Sequence, residues 1–154
     1  LLGYKNNRFI LDTSLSKKQI MDELSTIMNK AIDLQKHGKL EEAVSIYLKI
    51  LDIQPSNAAA MHLLGLVFHS QGKFTNAVEC IGKAIIESPD IADFHSNMAV
   101  AQLALGLPNS ASRHAKKAIQ LDKNLIPPFL LVQVLSMIWT RRNKILFFRK
   151  RRNL

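Results

Sequence analysis

Ala43, Ala77 and Ala111 recur at an interval of 34 residues, and Gly38, Gly72 and Gly106 keep the same interval. Ala31, Gly65 and Ala99 form a third such series, Ile50, Ala84 and Ala118 a fourth, and Pro55 and Pro89 a fifth. A fixed period of this size is the mark of a stacked-repeat chain. Each unit of such a chain buries its apolar face against its neighbours, and the stack works as a binding surface. The period therefore limits the fold more than any other property of these 154 residues.

With unit boundaries at 24, 58 and 92, each unit splits into two helical stretches around a glycine. In the second unit the spacing predicts helices over Ala58–Gln71 and Phe74–Glu87. Met61, Leu64, Gly65 and Phe68 share one face of the first of these, at i, i+3, i+4 and i+7. Ala77, Ile81 and Ala84 do so on the second. Gly72 ends the first helix, because glycine takes the left-handed cap conformation freely. Pro89 ends the second, because the residue before a proline avoids the helical region.

Small residues at fixed places have a mechanical purpose. Gly65 is expected where the two helices of its unit cross, with Ala77 opposite it. Ala31 with Ala43, and Ala99 with Ala111, are the same pairs in the flanking units. Helix axes approach to about 8–10 Å only when the contact residues allow it. Leu34, Tyr47, Phe68 and Ile81 are then expected to fill the space around these contacts.

This pattern resembles the tetratricopeptide repeat. Ala31, Gly38, Ala43, Tyr47 and Pro55 carry it in the first unit. Leu64-Gly65, Phe68, Gly72, Ala77, Ala84 and Pro89 carry it in the second, and Met98-Ala99, Gly106, Ala111 and Ala118 in the third. The third unit departs from it, with Lys123 in place of the proline and Gln102 where an aromatic is usual. The resemblance implies an all-α helix-turn-helix solenoid of three helix pairs followed by an apolar C-terminal helix. The expected organisation is an N-terminal extension at 1–23 and three repeats at 24–57, 58–91 and 92–125. A degenerate helix and basic tail then fill 126–154. Residues 1–13 show no period and receive no element. Ser14 is the expected cap of a helix leading into the first unit, with Ile20, Leu24 and Ile27 on one face.

Charge separates the repeats from the tail. The chain carries a net +9, and residues 141–154 hold seven basic residues and no acid, so only +2 falls on the rest. Basic clusters bind phosphates by releasing counterions, but a terminal cluster is more often solvated, so nucleic acid ranks low among the partners. Residues 125–139 read LIPPFLLVQVLSMIW, apolar on almost every side. Burial against partner units or a downstream domain leads among their readings, with self-association through 126–139 following from it. Terminal sequence with no evolved role comes next, then a place at a membrane surface helped by the basic tail. A span needs about 20 apolar residues, more than the stretch from Phe129 to Thr140 supplies. The chain opens on Leu1 with no secretory pattern and reads as a fragment or an incomplete gene product. Cys80, the lone cysteine, gives no sign of an oxidising compartment, and is best read as a small buried hydrophobe. A cytoplasmic protein is expected.

No catalytic constellation and no cofactor motif stand out, and the glycines are helix punctuation rather than a phosphate loop. Glu41, Glu42 and Asp90 suit solvated faces and first turns of helices. The histidines are His37, His62, His69, His95 and His114. His62 and His69 share a helix face but lie about 10.5 Å apart along it, too far for one metal with bonds near 2 Å. His95 is expected to approach the groove beside them. No metal site is assigned.

The resemblance places ligand binding in the concave groove lined by first helices. In the superhelical repeats of O-linked N-acetylglucosamine transferase-like proteins, asparagines at this place form a ladder that grips peptide backbone. Asn29 and Asn97 hold it here, and Leu63 interrupts it. An amide both donates and accepts, so it reads backbone without regard to sequence. The alternative for both is a solvated polar residue with no ligand. The groove positions hold Met28, Ile32, His62, Leu66, Ser96 and Val100, with His69 at the edge, and offer no base for an acidic tail. The expected site is Asn29, Ile32, His62, Leu66, His69, Asn97 and Val100. The expected function is a non-enzymatic interaction module taking a peptide or a partner helix. The stretch 61–99 also resembles repeats that precede glycosyltransferase, sulfotransferase or methyltransferase domains. The second reading is thus the repeat region of a larger transferase whose catalytic domain lies elsewhere.

Overall fold

The computed structural model describes residues 3–5, 8–10 and 16–124. It contains six helices, α1 (Lys17–Lys36), α2 (Leu40–Ile53), α3 (Ala58–Ser70), α4 (Phe74–Glu87), α5 (Ala92–Ala104) and α6 (Pro108–Leu121). Two short strands precede them, β1 (Gly3–Lys5) and β2 (Arg8–Ile10), paired antiparallel with Tyr4 opposite Phe9. The all-α expectation thus holds for the body of the chain and misses this hairpin. Three-residue strands are too short to show an alternation in sequence. The expected apolar helix and basic tail at 126–154 lie outside the described residues, as does the expected cap, Ser14.

α1 starts at Lys17, ahead of the unit boundary expected at 24, and its cap is Ser16 rather than Ser14. The correction has a chemical reason. Ser16 Oγ accepts from the backbone N–H of Gln19 at 3.3 Å, and Gln19 Oε1 accepts from the N–H of Ser16 at 2.8 Å. This reciprocal capping box needs Gln or Glu three residues on, and Ser14 has Lys17 there.

The glycines end the first helix of each pair in one repeated way. Gly38, Gly72 and Gly106 have φ of 75°, 74° and 74°. Each donates three residues back, to Gln35, His69 and Leu103, and the following residue donates five back, to Leu34, Phe68 and Gln102. These paired bonds satisfy helix-end carbonyls and need left-handed backbone at the glycine. The residue after each glycine is at once the close of one helix and the cap of the next. The carbonyls of Lys39, Lys73 and Leu107 accept from Ala43, Ala77 and Ala111 at 3.0–3.1 Å. None of the three caps with its side chain, since the turn already fixes its backbone.

The chain divides into two compact units, Leu1–Ser88 and Pro89–Leu154. In the first, α1 packs on α2, α2 on α3 and α3 on α4, and α1 also touches α3. The core gathers Leu24, Ala31, Ala43, Tyr47, Ile50, Ala60, Leu64 and Val67. α3 is buried on two sides, with Ala60 and Val67 as enclosed as the Leu64-Gly65 face. The crossing at Gly65 is as tight as the small-residue series predicts. A Cβ there would stand 2.6 Å from Ile81 Cγ1 and 3.2 Å from the Ala77 carbonyl oxygen. Tyr47 is fully enclosed, and its hydroxyl donates to Gln35 Oε1 at 3.0 Å. In the second unit α5 packs on α6, and Ala99, Ala111 and Ala115 form the contact with Leu103 beside them. Proline suits the first position of α6, where an N–H has no helical partner.

Candidate functional site

Side chains on the first helix of each pair carry the expected site. On α1, Asn29 is exposed and Ile32 half-buried, and Met28 packs on the core while keeping some exposure. On α3, Leu66 and His69 are half-buried. Ile32 and Leu66 occupy the same place in successive units, 34 residues apart, on helices that touch.

His62 differs from the expectation, because it is buried. The residue keeps only 8% of its surface exposed. His69 keeps part of its surface, and its ring lies 5.2 Å from that of Phe74 at a tilt of 57°. Lys73 Nζ stands 5.9 Å over the Phe68 ring, within the range of a cation–π contact. The turn between α3 and α4 thus holds two aromatic contacts beside Gly72. Leu63, which interrupts the asparagine series, packs on the core.

In the second unit α5 carries Asn97 and Val100, both half-buried, and Ser96, buried. Asn97 makes interactions of its own. His95 lies in the interior of the second unit. It is buried, with Nε2 2.8 Å from the Pro89 carbonyl oxygen and Nδ1 3.0 Å from Nδ1 of His114. The two rings are stacked, with centroids 5.3 Å apart. Burial, His95 and Arg113 together hold the His114 imidazole below its ordinary range. Their separation of 19 residues has no local period, so nothing in the sequence joins them.

Groups suited to other chemistry are sparse. Among the described residues no three His, Cys, Asp or Glu side chains gather as metal ligands. Cys80 is a free thiol, half-buried against the core, and burial pushes its pKa up. A raised pKa keeps a thiol protonated, the less nucleophilic form. Burial alone pushes Tyr47 up to about 12. Among the described residues no helix is long and apolar enough to cross a membrane.

Comparison with known proteins agrees with the helix pairs. The tetratricopeptide repeat family model matches residues 58–90. The first TPR of Spaghetti (RPAP3), bound to the HSP90 peptide SRMEEVD, superposes with a TM-score of 0.73 at 19% identity. The match covers 77% of this chain and 94% of that one. The Sgt2 TPR domain from Aspergillus fumigatus gives 0.73 at 15% identity, over 79% and 82%. A mutant O-GlcNAc transferase from Thermobaculum terrenum gives 0.67 at 22% identity, over 72% of this chain and 21% of the transferase. No curated protein matches the chain significantly. Residues 58–90 match the tetratricopeptide repeat, and the fold of the helix pairs is similar to that of these repeat domains.

Proposed function

We propose that the chain is a protein–protein interaction module whose first helices take a peptide or a partner helix. One observation carries the reading. Ile32 and Leu66 stand at equivalent places on the touching helices α1 and α3, and both stay partly open to solvent. An apolar strip with an amide at its rim suits an extended or helical peptide. Asn29, Ile32, Leu66 and His69 form this surface on the first unit. On the second, Asn97 and Val100 hold the same register on α5. These positions carry no cation, so a peptide with its own apolar side chains fits better than an acidic tail. The likeness to a repeat domain bound to a peptide supports a peptide ligand in general, although that peptide, SRMEEVD, is itself acidic.

The test is capture of peptides from a random library by the full chain, then by Ile32→Asp and Leu66→Asp. Loss of the captured peptides by both variants, with unchanged helical content, supports the reading. Equal capture by all three proteins overturns it.

A second reading rests on the likeness to the O-GlcNAc transferase, of which the matched part is 21%. Here the chain is the repeat region of a larger transferase and presents its substrate proteins. A transferase-like reading frame following codon 154 favours it. Two further proposals rest on composition. Self-association through 126–139 follows from their apolar sequence, and light scattering of the full chain reports it. A cytoplasmic location follows from the lone free thiol of Cys80.

A further inference from the structure

The pairing of His95 with His114 fixes the protons on both rings. A carbonyl oxygen only accepts, so the 2.8 Å contact with Pro89 requires a hydrogen on His95 Nε2. In the neutral ring Nδ1 of His95 is then the acceptor. The 3.0 Å contact between the two Nδ1 atoms therefore places a hydrogen on Nδ1 of His114. The neutral pair forms one directed chain, from His114 through His95 to the backbone at Pro89. It ties α6 to α5 and to the turn that leads into α5.

Counting protons on this chain gives a limit. A first proton goes to Nε2 of His114, and the bond from its Nδ1 to His95 remains. A second has only Nδ1 of His95 left, where it would set two N–H groups against each other at 3.0 Å. It would also charge a ring that is 5% exposed. Among the described residues no counter-charge pairs with either ring. Arg113 on α6 is positive and acts on His114. Asp90 in the turn and Asp93 on α5 are exposed and form no ion pair with either ring.

We propose that His95 and His114 are a one-proton tie that holds α5, α6 and the Pro89 turn together and releases them on acidification. An unfolded chain takes two protons at these positions below the ordinary histidine pKa of about 6.5, and the folded pair takes at most one. The native state therefore binds fewer protons, and its stability rises with pH through this window. The stabilisation is full above about pH 6.5 and is lost as the pH falls below it. Each pH unit of acidification shifts opening of the pair by about tenfold or more. The device uses none of the residues proposed to bind peptide on the first unit, so it stands whether or not those residues do so.

Hydrogen exchange of the full chain between pH 7.5 and 5, corrected for intrinsic rates, tests the tie. Protection of the α5 and α6 amides is expected to fall at least tenfold per pH unit below 6.5. His114→Gln should flatten this slope, because a Gln amide donates to neutral His95 and, turned over, accepts from the charged ring. An unchanged slope in His114→Gln overturns the proposal. Nitrogen-15 spectra of the natural chain at pH 7.5 serve if that variant fails to fold. They should show hydrogen on Nε2 of His95 and on Nδ1 of His114, and the opposite tautomers overturn it. So does uptake of both protons above pH 5 with protection unchanged.

Discussion

Gly65 and Ile81 stand so close that a Cβ at 65 would lie 2.6 Å from Ile81 Cγ1. Ile81 is β-branched and fully buried, so its Cγ1 has little room to yield, and the Ala77 carbonyl oxygen at 3.2 Å and the Ile81 nitrogen at 3.3 Å are backbone. Gly65→Ala therefore already forces the crossing to open at Ile81, and Gly65→Leu forces a wider separation of the helices. Overpacking of this kind costs about 1–3 kcal/mol. Thermal melting followed by circular dichroism should rank natural chain, Gly65→Ala and Gly65→Leu in falling order. Equal midpoints would mean that α3 and α4 do not meet at this residue.

Tyr47 should make the first unit sensitive to alkali. Its folded pKa, about 12, lies above the ordinary value of 10.0. Between these values the unfolded chain gives up the phenol proton and the folded chain keeps it. The stabilisation is thus full below pH 10 and fades as the pH rises towards 12, by roughly 2–3 kcal/mol in all. Tyr47→Phe should remove this part of the alkaline loss. At neutral pH it should cost about 0.5–1.5 kcal/mol, since Gln35 Oε1 loses its donor. Denaturant midpoints of both proteins at pH 8 and pH 11 measure the two effects.

Gln102 holds the place of Phe68 one unit later, and its side-chain oxygen is buried without a hydrogen-bond partner among the described residues. A buried acceptor left unpaired costs about 1–3 kcal/mol. Gln102→Leu should therefore stabilise α5 and α6 by about 1 kcal/mol. A lowered melting temperature would show that the amide has a partner in solution.

Ile91 caps α5 without a side-chain acceptor, although Asn57, its equivalent in the preceding unit, accepts from Ala60 at 2.9 Å. Backbone at Ile91 is already extended, with φ −89° and ψ 110°. Ile91→Asn should gain about 0.5–2 kcal/mol, as capping residues do. It also removes an exposed apolar side chain. Urea denaturation measures the gain, and no change would mean that the new amide points elsewhere.

Asn97→Ala should weaken a peptide captured by the full chain by about 0.5–1.5 kcal/mol, one hydrogen bond, and leave the helical content as it is. Calorimetric titration with the captured peptide gives the number. Unchanged affinity for every captured peptide removes Asn97 from the binding surface.

What the sequence made legible is what repeats. The turns at Gly38, Gly72 and Gly106 and the crossings at Gly65, Ala31 and Ala99 each depend on one residue type at one phase. They could be read before any coordinates. The Ser16 cap was equally present, as Ser followed at three residues by Gln19, but Ser14 is the same residue type two places earlier. The hairpin at 3–10 is too short for an alternation to show. The burial of His62 and the meeting of His95 with His114 depend on which side of a helix faces its partner. Apolar residues all round α3, and apolar and polar residues mixed on every side of α5, conceal that side. The proposed binding surface is the least legible, because half-buried Ile32 and Leu66 are of the same residue types as the core.

The turns at the three glycines close with hydrogen bonds that reach back no more than five residues. Bringing the ends of so short a loop together costs little entropy. Each helical hairpin can therefore assemble from its own stretch of chain without waiting for sequence made later. During synthesis the first pair has what it needs before the third is translated, and its apolar faces are partly covered while the rest is still emerging.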